Sequence, residues 1–137
     1  MAEEKILLEI VAPNRLLLRE DVEEVVCPGT EGELGILPGH THLLTALTIG
    51  ELRYKKNNVF CSLAISWGYA EITGDRVIIL AEIAEKAEEI DLIRAEEEKA
   101  RAEEILAKGP EEVEFEKAKE SLDKAMNRLR IAGRKGP

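Results

Sequence analysis

The composition of this chain changes near residue 84, and that change limits the folds that it can adopt. Up to about residue 83, short apolar and β-branched runs alternate with clusters of Gly, Pro, Asn and Asp, which is typical of strands joined by turns. Beyond that point the chain is rich in Ala, Glu, Lys and Arg, which are good helix formers. No helical crossover fits between the strands, so a parallel sheet is disfavoured. We therefore predict two modules, residues 1–86 built from strands and residues 87–137 built from helices.

The strand module contains enough short runs for a two-layered or closed sheet. The runs that are typical of strands are residues 6–11, 15–18, 22–27, 50–55, 59–65, 69–73 and 77–80. Their spacing predicts an antiparallel β-sandwich or barrel of eight to ten short strands. Such a module is short for so many strands, and its exposed edges and apolar loops would gain from cover by a partner.

The helical module carries the start and stop signals of two helices. Asp91 can cap a helix over residues 92–108, and Gly109-Pro110 ends it. A second helix is predicted over residues 111–132, ended by Gly133. Because only two residues separate the helices, they should fold back into an antiparallel two-helix hairpin.

Residues at alternating spacings of three and four define the contact between the two helices. They are Phe115, Ala118, Leu122, Ala125, Leu129 and Ala132 on the second helix, and Leu92, Ala95, Lys99, Ala102 and Leu106 on the first. Alanine buries one methyl group where leucine buries four carbons, at ~0.8 kcal/mol per carbon. The hairpin should therefore be marginally stable and able to open. The alternative is a hairpin that stays docked permanently.

Charge is divided unequally along the helical module. Residues 82–104 carry ten acidic and four basic side chains, whereas residues 117–137 carry two acidic and seven basic ones. The basic residues of the second segment are Lys117, Lys119, Lys124, Arg128, Arg130, Arg134 and Lys135. Two interpretations stay open: the hairpin neutralises itself, or its basic second helix serves an acidic partner surface.

The overall charge and the apolar runs argue against several classes of partner. A formal net charge of −9 would repel nucleic acid and anionic lipid. No apolar run approaches the ~20 residues that span a bilayer. The acidic start of the chain lacks the basic and apolar regions of a signal peptide. These features predict a cytoplasmic protein that does not insert directly into a membrane.

Few residues invite a chemical role. Cys27 and Cys61 lie outside any metal-ligand spacing and are predicted to be reduced core residues. Trp67 and Tyr69 are predicted to fill the sandwich core rather than to form a stacking site. No catalytic triad, Walker loop or dinucleotide-binding motif is recognisable.

The most distinctive segment spans residues 31–42 and reads Glu-Gly-Glu-Leu-Gly-Ile-Leu-Pro-Gly-His-Thr-His. Pro38-Gly39 fits the centre of a type II turn, because proline fixes φ at its first position and glycine accepts a positive φ at its second. Gly35 suggests a bulge or the close approach of another backbone. The two histidines share one face, but no acidic or thiol ligand lies near them, so no metal site is predicted. The segment resembles a signature of the ε subunit of the rotary F-type ATP synthase, and the resemblance covers residues 5–132.

That resemblance implies a non-catalytic rotor subunit that links the γ subunit to the c-ring and couples ion translocation to ATP synthesis. It would be a peripheral component at the cytoplasmic face of the bacterial cell membrane. The residues implied at the contact with γ and the c-ring are Glu33, Gly35, Leu37, Pro38, His40 and His42. The C-terminal helices would permit turnover when folded and block ATP hydrolysis when extended along γ. The residues implied to contact the catalytic β (and α) subunits are Lys117, Lys124, Arg128 and Arg130.

A further resemblance concerns nucleotide. Residues 90–95 read Ile-Asp-Leu-Ile-Arg-Ala and are similar to the Ile/Leu-Asp-x-x-Arg-Ala motif of ATP-binding ε subunits. Helical spacing places Arg94 and Arg101 on one face and stacks Lys124 on Arg128, so an antiparallel hairpin could gather the four cations that a triphosphate requires. Lys124 stands where ATP-binding members carry Arg, so a point charge replaces a bidentate fork.

By the same resemblance, a regulatory ATP would be the only cofactor, and none would be required. The residues near its adenine would be Glu85, Ile90 and Asp91. In the alternative, Asp91 only caps the helix and the arginines pair with nearby carboxylates, namely Glu97, Glu98 or Glu120. Two other functions remain: a free-standing ATP-sensing regulatory module, and a small enzyme, for which the sequence offers no convergent titratable set.

Overall fold

The computed structural model describes residues 4–134. Eight strands come first, then a single 3₁₀ turn at Ala87–Glu89, then two helices. The strands are β1 (Ile6–Ala12), β2 (Arg15–Val22), β3 (Glu24–Gly29), β4 (Gly32–Ile36), β5 (His40–Leu47), β6 (Gly50–Lys56), β7 (Val59–Gly74) and β8 (Arg76–Lys86). The helices are α1 (Leu92–Ala107) and α2 (Glu112–Ala132). The predicted β-sandwich followed by a helical hairpin is therefore confirmed.

The eight strands form one continuous sheet that folds into two layers. Its order is β2-β1-β8-β7-β5-β3-β4, and β6 pairs with both β3 and β7. The first half of β7 pairs with β6 and its second half with β5, while β8 pairs with β7 across this change of partner. The recorded pairs are antiparallel except β1 with β8, which is parallel. The long strand β7 therefore belongs to both layers and joins them.

Strand β7 corrects two predictions. Residues 59–65 and 69–73, predicted as separate strands, are one strand of 16 residues that bends at Trp67 (φ 50°) and Gly68 (φ 153°). A Cβ atom on Gly68 would lie 1.9 Å from the Leu80 carbonyl oxygen, so a larger residue would clash there. Trp67 and Tyr69 are 37% and 57% exposed, so the prediction that they fill the core is wrong. Side chains two positions apart share a face, and here that face is the outer one.

The turn between β4 and β5 has the geometry that the sequence predicts, whereas the conformation of the sheet at Gly35 differs from the prediction. Gly39 has a φ of 85°, and the His40 N–H donates to the Leu37 carbonyl at 3.1 Å. Gly35 pairs in regular register with β3, and a Cβ atom there would meet no atom within 4 Å. The predicted bulge or close approach at Gly35 is therefore wrong for the described residues.

The main core lies between the two layers and is built from alternating strand residues. Ile6 and Leu8 are fully buried, with half-buried residues between and after them. Cys27 is also fully buried, and burial raises the pKa of its thiol to about 11, so the thiol is protonated at neutral pH. Cys61 is partly buried against the same core, and both cysteines are free, as predicted. The buried residues of this core lie within residues 6–81, so the hairpin contributes none of them.

The two helices follow the predicted bounds closely. Asp91 caps α1 by accepting a hydrogen bond from the Arg94 N–H at 3.1 Å. The seam residues that are buried are the four alanines Ala95, Ala102, Ala118 and Ala125.

The outer ends of the predicted seam are not buried. Leu92 and Phe115 are 48% and 45% exposed, so their assignment to the buried seam is wrong. Each lies in the first turn of its helix, where the side chain leans towards the N-terminus and past the end of the contact. No helix within residues 4–134 is both long enough and apolar enough to cross a membrane.

Candidate functional site

Helix α2, rather than α1, rests on the sandwich. Asn127 is 4% exposed, and its Nδ2 donates to the Gly50 carbonyl at 2.9 Å. Ile131 is fully buried and forms a small second core with Ala64 and Ala87. The last two turns of α2 are therefore the part of the hairpin that docks on the sandwich, and α1 packs mainly against α2.

Polar contacts flank this docking contact. Trp67 Nε1 donates to Glu120 Oε1 at 2.7 Å. At the other end, one guanidinium nitrogen of Arg134, Nη1, lies 2.6 Å and 2.8 Å from the two carboxylate oxygens of Glu51. The sequence analysis missed this contact. The one local signal was an isoleucine at position 131, one place off the predicted seam, whereas Glu51 occupies an ordinary polar position in an alternating strand.

The structure brings together three of the residues considered for nucleotide binding, Glu85, Arg94 and Arg128, through a network of ion pairs that includes Glu98. Arg128 Nε donates to Glu85 at 2.6 Å, and its Nη1 lies 3.5 Å from Glu98. Arg94 Nε donates to the same Glu98 at 3.1 Å. Lys124 lies 3.8 Å from Glu120. The arginine pairs with Glu98 that the alternative interpretation predicts are thus present, whereas in the described residues Glu120 pairs with Lys124 rather than with an arginine.

The other candidate nucleotide residues lie around this cluster. Asp91 serves as the α1 cap, and Ile90 packs against the second core. Arg101 and Lys117 line a groove of about 340 Å³ along one side of the hairpin, together with Glu98. The lining of this groove does not include the other three proposed cations, so the structure does not place all four in one cavity.

The segment 31–42 comprises β4, the turn at Pro38-Gly39 and the start of β5, and these two strands pair with β3 and β7 rather than with each other. Glu33, Leu37 and His42 are exposed, and Leu37 is 58% exposed despite being apolar. Gly35 is also exposed, whereas Pro38 and His40 are half-buried. All six residues proposed for the rotor contact are therefore at least partly accessible.

An apolar band crosses the outer face of the sheet. Cross-strand pairing aligns five residues from β5, β7, β8, β1 and β2 in one row: Ala46, Tyr69, Leu80, Val11 and Leu16. Tyr69, Leu80 and Leu16 are between 51% and 57% exposed, and the first four residues line an open groove of about 740 Å³. Contiguous exposed apolar surface of this kind marks an interaction site.

A chain of ion pairs joins the segment 31–42 to the end of α2. Arg53 Nη1 donates to Glu33 Oε2 at 3.0 Å and to Glu51 Oε1 at 3.4 Å, and Glu51 also accepts from Arg134. Partial burial lowers the pKa of Arg53, but hydrogen bonds and charge from Glu33 and Glu51 outweigh it and raise that pKa overall. Within the described residues, no three His, Cys, Asp or Glu side chains are grouped to hold a metal.

Two family models together match almost the whole chain. The model described as "ATP synthase, Delta/Epsilon chain, beta-sandwich domain" matches residues 5–87, and "ATP synthase, Delta/Epsilon chain, long alpha-helix domain" matches residues 88–133. The chain belongs to the ATP synthase delta/epsilon chain family. As a member of this family it is a structural and regulatory subunit of ATP synthase, and not a catalytic one.

Curated relatives and solved structures agree with this assignment. The ATP synthase epsilon chain of Geotalea daltonii is 47% identical over 97% of each chain, and that of Syntrophobacter fumaroxidans is 48% identical over 94% of this chain and 96% of the relative. In fold, the chain is similar to one in the Euglena gracilis mitochondrial ATP synthase (TM-score 0.83, 24% identity, covering 96% of this chain and 83% of the other). It is also similar to one in the Tetrahymena thermophila central stalk and c-ring (TM-score 0.60, 15% identity, covering 96% and 99%).

Proposed function

We propose that this protein is a central-stalk subunit of an F-type ATP synthase, in which the sandwich holds the γ subunit and contacts the c-ring. The apolar band carries the proposal, because its row of exposed side chains offers a long partner element a continuous dry contact. The subunit would lie at the cytoplasmic face of the bacterial cell membrane as a peripheral part of the complex, coupling ion translocation to ATP synthesis.

The segment 31–42 is the proposed second contact of the rotor. Its turn projects Leu37 at the surface, and Glu33 and His42 are exposed beside it. This end of the sandwich offers charge and an apolar tip rather than a flat apolar face. Such a mixture suits polar loops of a c-ring better than it suits a long helix of γ.

The hairpin is the proposed regulator. In the docked form, three of the four cations implied to contact β already have partners: Lys124 with Glu120, Arg128 with Glu85, and Arg130 Nη2 with Asn127 Oδ1 at 2.6 Å. Extension of the hairpin would separate Arg128 from Glu85 and Glu98, whereas the partners of Lys124 and Arg130 lie within α2 and would move with it. The extended helix would offer Arg128 to acidic surfaces of the catalytic subunits, and would thereby inhibit ATP hydrolysis.

A regulatory ATP at the hairpin belongs to the same proposal. The phosphates would use Arg94, Arg101, Lys124 and Arg128, with Glu85, Ile90 and Asp91 near the adenine. Such a ligand would favour the docked hairpin, by about 2.7 kcal/mol at a hundred times its Kd.

The proposed contact with γ is tested by introducing a charged residue into the apolar band. Leu80→Glu, at a position 51% exposed, should lower affinity for γ at least tenfold because it places an unpaired charge in a dry contact. Val59→Glu is the matched control, since Val59 is 39% exposed and lies outside the band. Affinity for purified γ can be measured by biolayer interferometry, with circular dichroism as a check of folding. Equal affinities of the wild type and folded Leu80→Glu would contradict the proposal.

A further inference from the structure

The ion-pair chain consists of four side chains, Glu33, Arg53, Glu51 and Arg134. It begins at an exposed carboxylate in β4, crosses β6 and ends just beyond α2. Two of its members are shared. Nη1 of Arg53 donates to both Glu33 and Glu51, at 3.0 Å and 3.4 Å. Oε1 of Glu51 accepts from both Arg53 and Arg134, at 3.4 Å and 2.6 Å.

Glu51 is the member on which docking of the hairpin depends. Its side chain is 8% exposed, whereas those of Glu33 and Arg134 are 61% and 46% exposed. A carboxylate removed from water needs a cationic partner, and this need strengthens any ion pair that it forms. Arg134 lies three residues after the buried Ile131, and its N–H donates to the Ile131 carbonyl at 2.8 Å. The ion pair with Glu51 therefore secures the end of the docked helix.

We propose that this ion-pair chain couples occupancy of the segment 31–42 to docking of the hairpin. When a cation of the partner pairs with Glu33, Glu51 is the one carboxylate of the ion-pair chain that remains for Arg53. Arg53 then competes more strongly with Arg134 for Oε1 of Glu51, and α2 is held less firmly. By reciprocity, when α2 undocks and Arg134 leaves Glu51, Arg53 pairs more strongly with Glu51. Glu33 then becomes available to the partner.

The coupling has a definite sign and needs no motion of the sandwich. Neutralising Glu33 should promote undocking, although Glu33 itself lies in β4 and not on the hairpin. The partner's part rests on the proposed function, but the coupling between Glu33 and Arg134 exists within this chain alone. The two can therefore be tested separately.

Hydrogen exchange on the full chain measures the coupling. In the wild-type background, Glu33→Gln should lower the protection of amides in residues 125–132 by about two- to fivefold. In an Arg134→Gln background, the same change should have no effect, because the competing partner of Glu51 is already absent. Glu31→Gln is the matched control, since Glu31 is exposed in the same segment and makes no ion pair within the described residues.

Each outcome of this double-mutant cycle decides the proposal. An effect of Glu33→Gln that vanishes with Arg134→Gln supports the coupling. Equal effects in both backgrounds, no effect in either, or an equal effect of Glu31→Gln would overturn it. Exchange in residues 6–10 serves as the internal check that the sandwich stays folded. Loss of γ binding by the apolar-band variant is scored independently, so failure of the proposed function is distinguishable from failure of the coupling.

Discussion

Glu98 determines what the cations of the hairpin can bind. It accepts a hydrogen bond from Arg94 at 3.1 Å and lies 3.5 Å from Arg128, so it occupies the position where a phosphate oxygen would be useful. A triphosphate would have to displace this carboxylate, and the like charges would repel if it did not. The chain therefore stabilises its docked hairpin with its own carboxylates, and the proposed ATP would have to compete with them.

Replacing Glu98 should therefore improve ATP binding. Glu98→Gln removes a competing negative charge and should tighten binding by about two- to fivefold, whereas Arg94→Ala should weaken it. Glu97→Gln is the control, because Glu97 is an exposed neighbour without an ion pair in the described part of the chain. Isothermal titration calorimetry with ATP measures all three. No binding heat from either the wild type or Glu98→Gln would refute the nucleotide site.

At the residue scale, contacts between residues close in sequence could be predicted, whereas contacts between residues far apart in sequence could not. The cap at Asp91 depends on a residue three positions away, and the turn at Gly39 depends on its immediate neighbours. Asn127 has a partner 77 positions away, at Gly50. Nothing local distinguishes Asn127 from a solvated residue of α2, because its role arises only when the helix docks.

At the scale of elements, periodicity predicted the helices well and the strands less well. The seam of α1 and α2 shows a sustained spacing, so its alanines could be named in advance. Strand β7 is predicted as two runs, residues 59–65 and 69–73, whereas the structure has one strand that bends at Trp67 and Gly68. Only pairing with β8 along both halves keeps this strand continuous, and pairing is tertiary information.

The sandwich should fold without the hairpin. Its main core lies within residues 6–81, so truncation after Glu89 leaves that core whole. It removes the small contact around Ile131 and the polar contacts that α2 and Arg134 make with the sandwich. We expect the truncated chain to unfold cooperatively, with a melting temperature within about 10 °C of the full chain. Calorimetric melting measures this, and Ile131→Ala in the full chain is the control for loss of the contact alone. A truncated chain that fails to fold would contradict the division into two modules.

At the scale of the whole molecule, Arg128 serves two exclusive purposes in the proposed mechanism. Docked, Arg128 is 18% exposed at its side chain and is held by Glu85 and Glu98, so it is unavailable to another subunit. Undocked, it joins the C-terminal part of α2, where basic residues outnumber acidic ones, on a chain of net charge −9. This arrangement suits an acidic partner surface. Inhibition in this proposal is therefore a competition between carboxylates of this chain and carboxylates of its partners.

Two variants of one ion pair distinguish this competition from a simple loss of docking. Glu85→Gln and Arg128→Ala both break the 2.6 Å contact and should both promote undocking. Glu85→Gln leaves the cation free for the catalytic subunits and should deepen inhibition of ATP hydrolysis about two- to fivefold, whereas Arg128→Ala removes the cation and should relieve it. Lys119→Ala is the control, since Lys119 is an exposed cation of α2 that forms no ion pair within residues 4–134. Hydrolysis rates of the reconstituted complex provide the measurement. Changes of the same sign in both variants would mean that Arg128 acts only by docking the hairpin and makes no inhibitory contact.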